Sequence, residues 1–208
     1  IGDARMNYPS HWTKSRLDEI CEISIGRTPA RDNKRYWGSD FPWLSISDMN
    51  QGRTITSTKE FITKTAAKEC NCRIVKPGTL LLSFKLSIGK VGINQIPLYT
   101  NEAIAALPLK RPDLVNGTFL YWALRYVDLE KDTDKAAKGK TLNKAKLKEV
   151  IIPLPSLPEQ RRIAAILDKA DSLREHRRQA IAKLDELLQS VFIDMFGDPV
   201  TNPKRLKK

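Results

Sequence analysis

A chain of 208 residues with 36 Lys and Arg against 24 Asp and Glu carries a net charge of +12, which points to a polyanionic partner, nucleic acid first. A hydrophobic content of 41% and a mean hydropathy of −0.40 suit one domain plus an appendage or two small domains, and apolar runs such as Leu80-Leu81-Leu82 are far too short to span a membrane. Three cysteines (Cys21, Cys70, Cys72) and two distant histidines (His11, His176) offer neither a disulfide framework nor a zinc constellation, so the expectation is a cytoplasmic protein with reduced thiols, no metal site, no membrane anchor and no signal segment.

Residues 1–11 are polar, carry Pro9 and read as a lead-in. Leu17, Ile20 and Ile23 within residues 12–26 fit either a short helix or a strand, and Gly26 ends that run. Residues 26–44, GRTPARDNKRYWGSDFPWL, mix glycines, prolines and aromatics with basic residues, which predicts turns rather than a regular element. Two readings stand together for this stretch. It is a loop pinned on the core by Tyr36, Trp37, Phe41 and Trp43, or a basic loop setting aromatics at a nucleic-acid face.

Further along, residues 43–46 and 54–61 read as strands, 64–72 as a short helix, and 74–78 as a strand into a tight turn. The leucine run makes residues 79–84 a buried strand, and residues 87–92 form a glycine-punctuated bend. Residues 99–109 alternate loosely, residues 114–127 suit an amphipathic helix, and 130–140 make a lysine-rich loop. A short helix at 144–148 and a strand at 150–152 precede Pro153 and Pro155. This order predicts an α+β fold with a mixed, largely antiparallel twisted sheet.

Residues 156–196 differ in kind. Ser156 and Glu159 have capping-box spacing, Pro158 sits in the first turn, and neither Gly nor Pro recurs before Gly197. Apolar or small residues at Ile163, Ile166, Ala170, Leu173, Ala180, Leu184, Leu187 and Val191 form a helical stripe, widened by Leu167, Ile181, Leu188 and Met195. At about 1.5 Å per residue the helix would be roughly 55–60 Å long, more than a domain of residues 1–155 can cover. It therefore requires a partner helix. Arg177 falls in the seam series and reads either as a snorkelling side chain or as a register device. Gly2-Asp3 followed by Asn7 is echoed by Gly197-Asp198 followed by Asn202, as in a chain that begins and ends at one phase of a tandem repeat. With no initiating Met, that reading includes a fragment or a processed product.

Catalytic signatures are missing. Gly139-Lys140-Thr141 lacks the earlier glycine of a phosphate loop, because that position is Asp134. Pro112-Asp113 has no acidic-x-Lys triplet after it, and the sequence contains no Asn-Pro-Pro-aromatic tetrapeptide and no Gly-x-Ser-x-Gly elbow. Asp48 and Glu102 read as single structural carboxylates, so the chain reads as non-catalytic.

The exit Ile152-Pro153-Leu154-Pro155-Ser156-Leu157-Pro158-Glu159-Gln160-Arg161-Arg162-Ile163-Ala164 resembles the start of the conserved helix in specificity subunits of type I restriction-modification systems. Trp12, Leu17, Ile20, Gly26, Thr28-Pro29, Tyr36-Trp37 and Phe41-Pro42-Trp43-Leu44 look like the opening of their target recognition domains. Val75-x-Pro77-Gly78-x-Leu80-Leu81, Ser87-Ile88-Gly89-Lys90 and Gly139-Lys140-Thr141-Leu142, leading to Leu147 and Ile151, continue the likeness in order. The resemblance implies a DNA-binding recognition domain at residues 1–155, a spacer and pairing helix at 156–196 and a basic connector or tail at 197–208. It implies double-stranded DNA, methyltransferase (M) subunits and a restriction (R) subunit as partners. S-adenosylmethionine, ATP and Mg2+ would belong to those subunits, with none bound by this chain. Since the sequence holds one recognition unit, it is either a half-length subunit that forms a homodimer through its helix or a fragment of a two-unit chain.

The expected DNA contacts lie in three basic stretches. They are Arg27, Thr28, Arg31, Lys34 and Arg35; Lys85, Ser87 and Lys90 at the glycine bend; and Lys135, Lys138, Lys140, Thr141 and Asn143. Cations would hold phosphates while polar side chains reach base edges in the major groove. Helix pairing is expected through Ile163, Ile166, Leu173, Leu184, Leu187 and Val191.

Overall fold

Short apolar strands pair across long stretches of sequence, and they do so in separate sheets. The computed structural model describes residues 8–129, 134–136 and 139–197. Its first half holds β1 (Thr13–Arg16), α1 (Leu17–Ile20), β2 (Ser24–Ile25), β3 (Trp37–Leu44), β4 (Thr54–Ile55), β5 (Glu60–Ile62), α2 (Lys64–Glu69), β6 (Leu80–Ser83) and β7 (Val91–Asn94). Then follow β8 (Tyr99–Thr100), β9 (Ile104–Leu107), α3 (Gly117–Tyr126), β10 (Asp134–Ala136), β11 (Gly139–Thr141), α4 (Lys144–Glu149), β12 (Ile151–Leu154) and α5 (Leu157–Phe196). The chain divides into two compact units, Ile1–Ala164 and Ala165–Lys208.

The fold class is α+β, as expected, but the expected sheet is divided. A five-stranded sheet in the order β2-β9-β6-β7-β4 and a three-stranded sheet β5-β3-β8 are joined by the two-stranded ladders β1-β12 and β10-β11. Pairing is antiparallel except for β3 with β8 and β4 with β7. Leu80, Leu81 and Leu82 of β6 are all buried, as is the whole of β9, so both faces of the central strands are covered. That double burial is why the leucine run shows no alternation. Leu44, Met49, Ile55, Val75, Leu81, Leu98, Ile104 and Ala106 form one core cluster, and Trp43, Ile62, Ala66 and Tyr99 a second. Each fully buried Leu or Ile contributes about 1.5–3 kcal/mol.

Residues 37–44 are a strand, not the turn region their glycine and prolines predict. Trp37 and Phe41 both lie opposite Ile62, so a bulge absorbs Gly38, Ser39 and Asp40. Pro42 is tolerated because β8 pairs only Trp43 and Leu44, leaving no ladder partner on that side to demand its missing N–H. The lysine-rich stretch after residue 130, expected as a loop, contains the hairpin β10-β11, with Asp134 opposite Thr141. Residues 54–61 divide between β4 and β5 in different sheets. The ambiguous run after Trp12 resolves as a strand, a helical turn and a second short strand.

Side-chain caps begin α2, α3 and α4. Thr63 Oγ1 accepts from Ala66 N at 3.2 Å, Asn116 Oδ1 from Phe119 N at 3.0 Å and Asn143 Oδ1 from Lys146 N at 2.9 Å. Helix α5 runs for 40 residues and starts differently. Glu159, expected as a capping-box acid, turns its carboxylate to the β1 flank. It accepts from Trp12 Nε1 at 3.2 Å and lies 3.4 Å from His11 Nε2. Gln160 is 1% exposed. Its Nε2 donates to Leu114 O at 2.8 Å and Pro155 O at 2.9 Å, while its Oε1 accepts from Asn116 N at 2.8 Å. Ala164 is buried as well, and beyond it the stripe is open: Ile166 is 57% exposed and Leu184 58%. Leu173, Leu187 and Val191 are exposed too, whereas Ile163 is half-buried.

Candidate nucleic-acid interface

One end of the five-stranded sheet collects six of the thirteen sequence-predicted contacts. β2 and β6 finish there, and β7 and β9 begin there, as the antiparallel registers require. Gly26 carries the chain out of β2 so close to its neighbour that a Cβ would collide with Thr100 O and Asn101 O. Arg27 N then donates to Thr100 O at 2.8 Å, and Trp43 Nε1 donates to Arg27 O at 3.0 Å. Thr28 Oγ1 donates to Glu102. Arg27, Thr28, Cys70 and Glu102 line an open cleft of about 430 Å³.

The β6-β7 connection lies at the same sheet end. Ser83 Oγ donates to Ser87 O and accepts from Lys90 N at 3.0 Å, while Ser83 O accepts from Gly89 N at 2.9 Å. These bonds close a tight bend with Gly89 at φ +88 and Leu86 at φ +63. Lys85 sits with its Nζ 5.4 Å from the Phe84 ring centroid, and Lys90 Nζ donates to Asn50 Oδ1 at 2.7 Å. Leu142 N donates to Phe84 O at 3.1 Å, which brings the residue after β11, and Asn143 with it, to this end. Arg27, Thr28, Lys85, Ser87, Lys90 and Asn143 therefore converge, although they span three distant stretches of sequence.

Three other candidates sit with the three-stranded sheet. Arg31 forms a two-pronged ion pair with Glu60, one arm at 3.1 Å, and its guanidinium lies 4.0 Å from the Trp37 ring centroid and 4.8 Å from that of Trp43. An arginine so engaged is a latch before it is a phosphate ligand. Lys34 and Arg35 are exposed on a 3₁₀ turn, Lys34–Tyr36, whose start Asn33 caps through Arg35 N at 3.1 Å. The Tyr36 hydroxyl donates to Glu69 Oε2 at 2.9 Å, and that hydrogen bond holds the Tyr36 pKa above its ordinary value. The pinning reading of the first loop holds: Tyr36, Trp37, Phe41 and Trp43 pack on the core, and Lys34 and Arg35 stand on its outside.

Of the late candidates, Lys135 falls in β10, Lys140 and Thr141 in β11, and Lys138 lies outside the described residues. Asn143 caps α4 with its side-chain oxygen. Asn50 and Glu102 were not among the predicted contacts, yet each bonds one of them. No periodicity marks either residue; Glu102 reads from the sequence as a structural carboxylate, with nothing there to tie it to Thr28. Asp48 is structural, as expected: it is buried and accepts from Ser45 N and Ser45 Oγ. Among the described residues no cluster of His, Cys, Asp or Glu could hold a metal, and no helix is long and apolar enough to cross a membrane.

Comparison with known proteins joins these features. The profile of the type I restriction modification DNA specificity domain matches residues 9–185. The chain is 33% identical over 193 residues to the type I restriction enzyme MjaIX specificity subunit of Methanocaldococcus jannaschii, covering 90% of this chain and 43% of that one. It is 26% identical over 187 residues to the type I restriction enzyme HindI specificity subunit of Haemophilus influenzae, covering 85% of this chain and 40% of the relative. Among solved structures, the HsdS subunit from Thermoanaerobacter tengcongensis matches with a TM-score of 0.66 at 25% identity, over 94% of this chain and 47% of that chain. A chain from a structure describing assembly and conformational transition of the type I R-M system shares the fold, with a TM-score of 0.70 at 24% identity over 91% of this chain and 46% of that one. The chain spans less than half the length of each of these relatives.

Proposed function

We propose, because this chain belongs to the family of type I restriction modification DNA specificity domains, that it is a non-catalytic DNA reader for a methyltransferase and endonuclease complex. The observation that carries this reading is the convergence of Arg27, Lys85 and Lys90 with polar Thr28, Ser87 and Asn143 at one sheet end of a chain with net charge +12. Cations placed that way neutralise phosphates and set register, and the short polar side chains between them reach base edges.

The unit reads one half of a bipartite site in double-stranded DNA. Helix α5 covers its stripe with a second helix, supplied either by another copy of this chain in a homodimer or by a second recognition unit. The paired helices space the two half-sites and dock methyltransferase (M) subunits, with a restriction (R) subunit joining the complex. S-adenosylmethionine, ATP and Mg2+ serve those partner subunits. Linked readers held at a fixed separation recognise two half-sites with a fixed gap.

The test is to co-express the chain with a methyltransferase partner and map the methylated positions. A bipartite motif is expected, and shortening α5 by whole turns should change the gap between its halves; an unchanged gap would sink the spacer role. Methylation by the isolated chain supplied with methyl donor, or cleavage supplied with magnesium, would replace this reading with an enzymatic one. Duplex binding that hardly weakens with salt would argue for a protein-interaction module instead.

A further inference from the structure

The glycine bend between β6 and β7 carries an apolar side chain where the fold has no use for one. Leu86 is 71% exposed and sits at φ +63, a left-handed conformation that glycine and asparagine adopt readily and a bulky side chain rarely does. The bend cannot fold back to bury it. Ser83 Oγ holds Ser87 O and Lys90 N, Gly89 N is bonded to Ser83 O, and Ser87 N donates to Lys85 O at 2.7 Å. Leu86 is thus fixed outward, at a conformational cost, on a rigid tip. Outliers of this kind mark functional positions when the surroundings enforce them.

The neighbours identify what such a tip meets. Lys85 and Lys90 flank it, and Arg27 and Asn143 share its sheet end, so the surface favours a polyanion. A leucine gains nothing from a phosphate. Seated in the major groove between phosphate-bound lysines, it meets a floor whose one apolar group is the C5 methyl of thymine. We propose that Leu86 is a specificity-determining residue that packs against a thymine methyl in the recognised half-site. This rests on the DNA-reading function proposed above and names one contact within it.

The experiment uses the full chain assembled with its methyltransferase partner. Methylation mapping first gives the site. Duplexes carrying that site are then prepared with each thymine replaced in turn by uracil, which removes the methyl and leaves the base pairing intact. At one position the wild type should bind the uracil duplex about fourfold more weakly, the equivalent of one buried methyl group. Leu86→Gly should lose a similar factor on the thymine duplex and show no further loss on the uracil duplex. Because glycine suits the positive φ, Leu86→Gly should melt no lower than the wild type, so weakened binding cannot be assigned to misfolding.

Three outcomes would overturn the proposal. They are a Leu86→Gly chain that binds as the wild type does, a mapped site in which no uracil replacement matters, and uracil penalties that persist unchanged in Leu86→Gly. Wild-type complex that yields no mapped site at all would instead remove the DNA-reading function, and the proposal with it.

Discussion

Helix α5 begins as a buried element and continues as an exposed one. Up to Ala164 it is held by Gln160 and by a half-buried Ile163; from Ile166 onward the large side chains of its stripe are exposed, apart from a half-buried Leu167. The two parts use opposite chemistry for one purpose. Where the partner belongs to the same chain, a single amide satisfies three main-chain groups in a dry site. Where the stripe is exposed, large aliphatic side chains present apolar area instead. The first loop repeats the contrast, since Arg31 is held by Glu60 and two tryptophans while Lys34 and Arg35 stand open.

The largest effect should come from the held part of the helix. Gln160→Leu keeps the volume but strands Asn116 N–H and two carbonyls, so unfolding free energy should fall by about 3–5 kcal/mol. Denaturant titration of the purified chain measures this, and a loss smaller than a surface substitution would break the contrast. Leu184→Glu and Leu187→Glu should do the reverse. Each should leave the fold within about 0.5 kcal/mol while costing association about 1.5–3 kcal/mol per leucine. Sedimentation mass and partner pull-down read the second figure.

In the first loop the expected effects are smaller. Arg31→Ala and Glu60→Gln should each destabilise modestly, with a coupling of about 0.2–1 kcal/mol in a double-mutant cycle, because the pair is half in water. Neither change should alter the salt dependence of DNA binding. Lys34→Ala should leave the melting temperature alone and lower the salt slope by about 0.9, one phosphate contact's worth. If Arg31→Ala reduced the slope and Lys34→Ala did not, the held and open residues would have to exchange roles.

Much of this was readable where local pattern and tertiary pattern agree. The bounds of α5, the buried strand β6, the bend after it and the helices α2, α3 and α4 follow from periodicity, caps and glycines. The strand β3 was not legible, because Gly38 and Pro42 speak for turns and only the long-range pairing with β5 overrides them. The hairpin β10-β11 was hidden for the same reason, its lysines and aspartates being poor strand formers. At the site, the basic stretches were visible but their sorting was not. Glu60, far from Arg31 in sequence, decides that Arg31 is held against the three-stranded sheet. Asn143 reads as a base-reading amide, but its oxygen is engaged by the N–H of Lys146, so the amide NH2 is what it has to offer a base. The glutamine of the Pro-Glu-Gln exit stands out as a motif, but two of its three partners lie at residues 114–116, which no sequence pattern links to it.

The Gln160 side chain hydrogen-bonds to main-chain atoms: two carbonyls and one N–H, from Leu114, Pro155 and Asn116. Strand β1, where the unit starts, is hydrogen-bonded along its length to β12, where it ends, again through backbone. Those main-chain bonds are blind to the identity of the side chains at residues 114–116. On the proposed DNA-reading function, the intervening sequence can drift, acquire new base preferences or be exchanged wholesale, provided the backbone at residues 114–116 keeps its path. Such a joint separates inheritance of the scaffold from inheritance of the specificity, so new targets can arise without renegotiating how the reader is mounted.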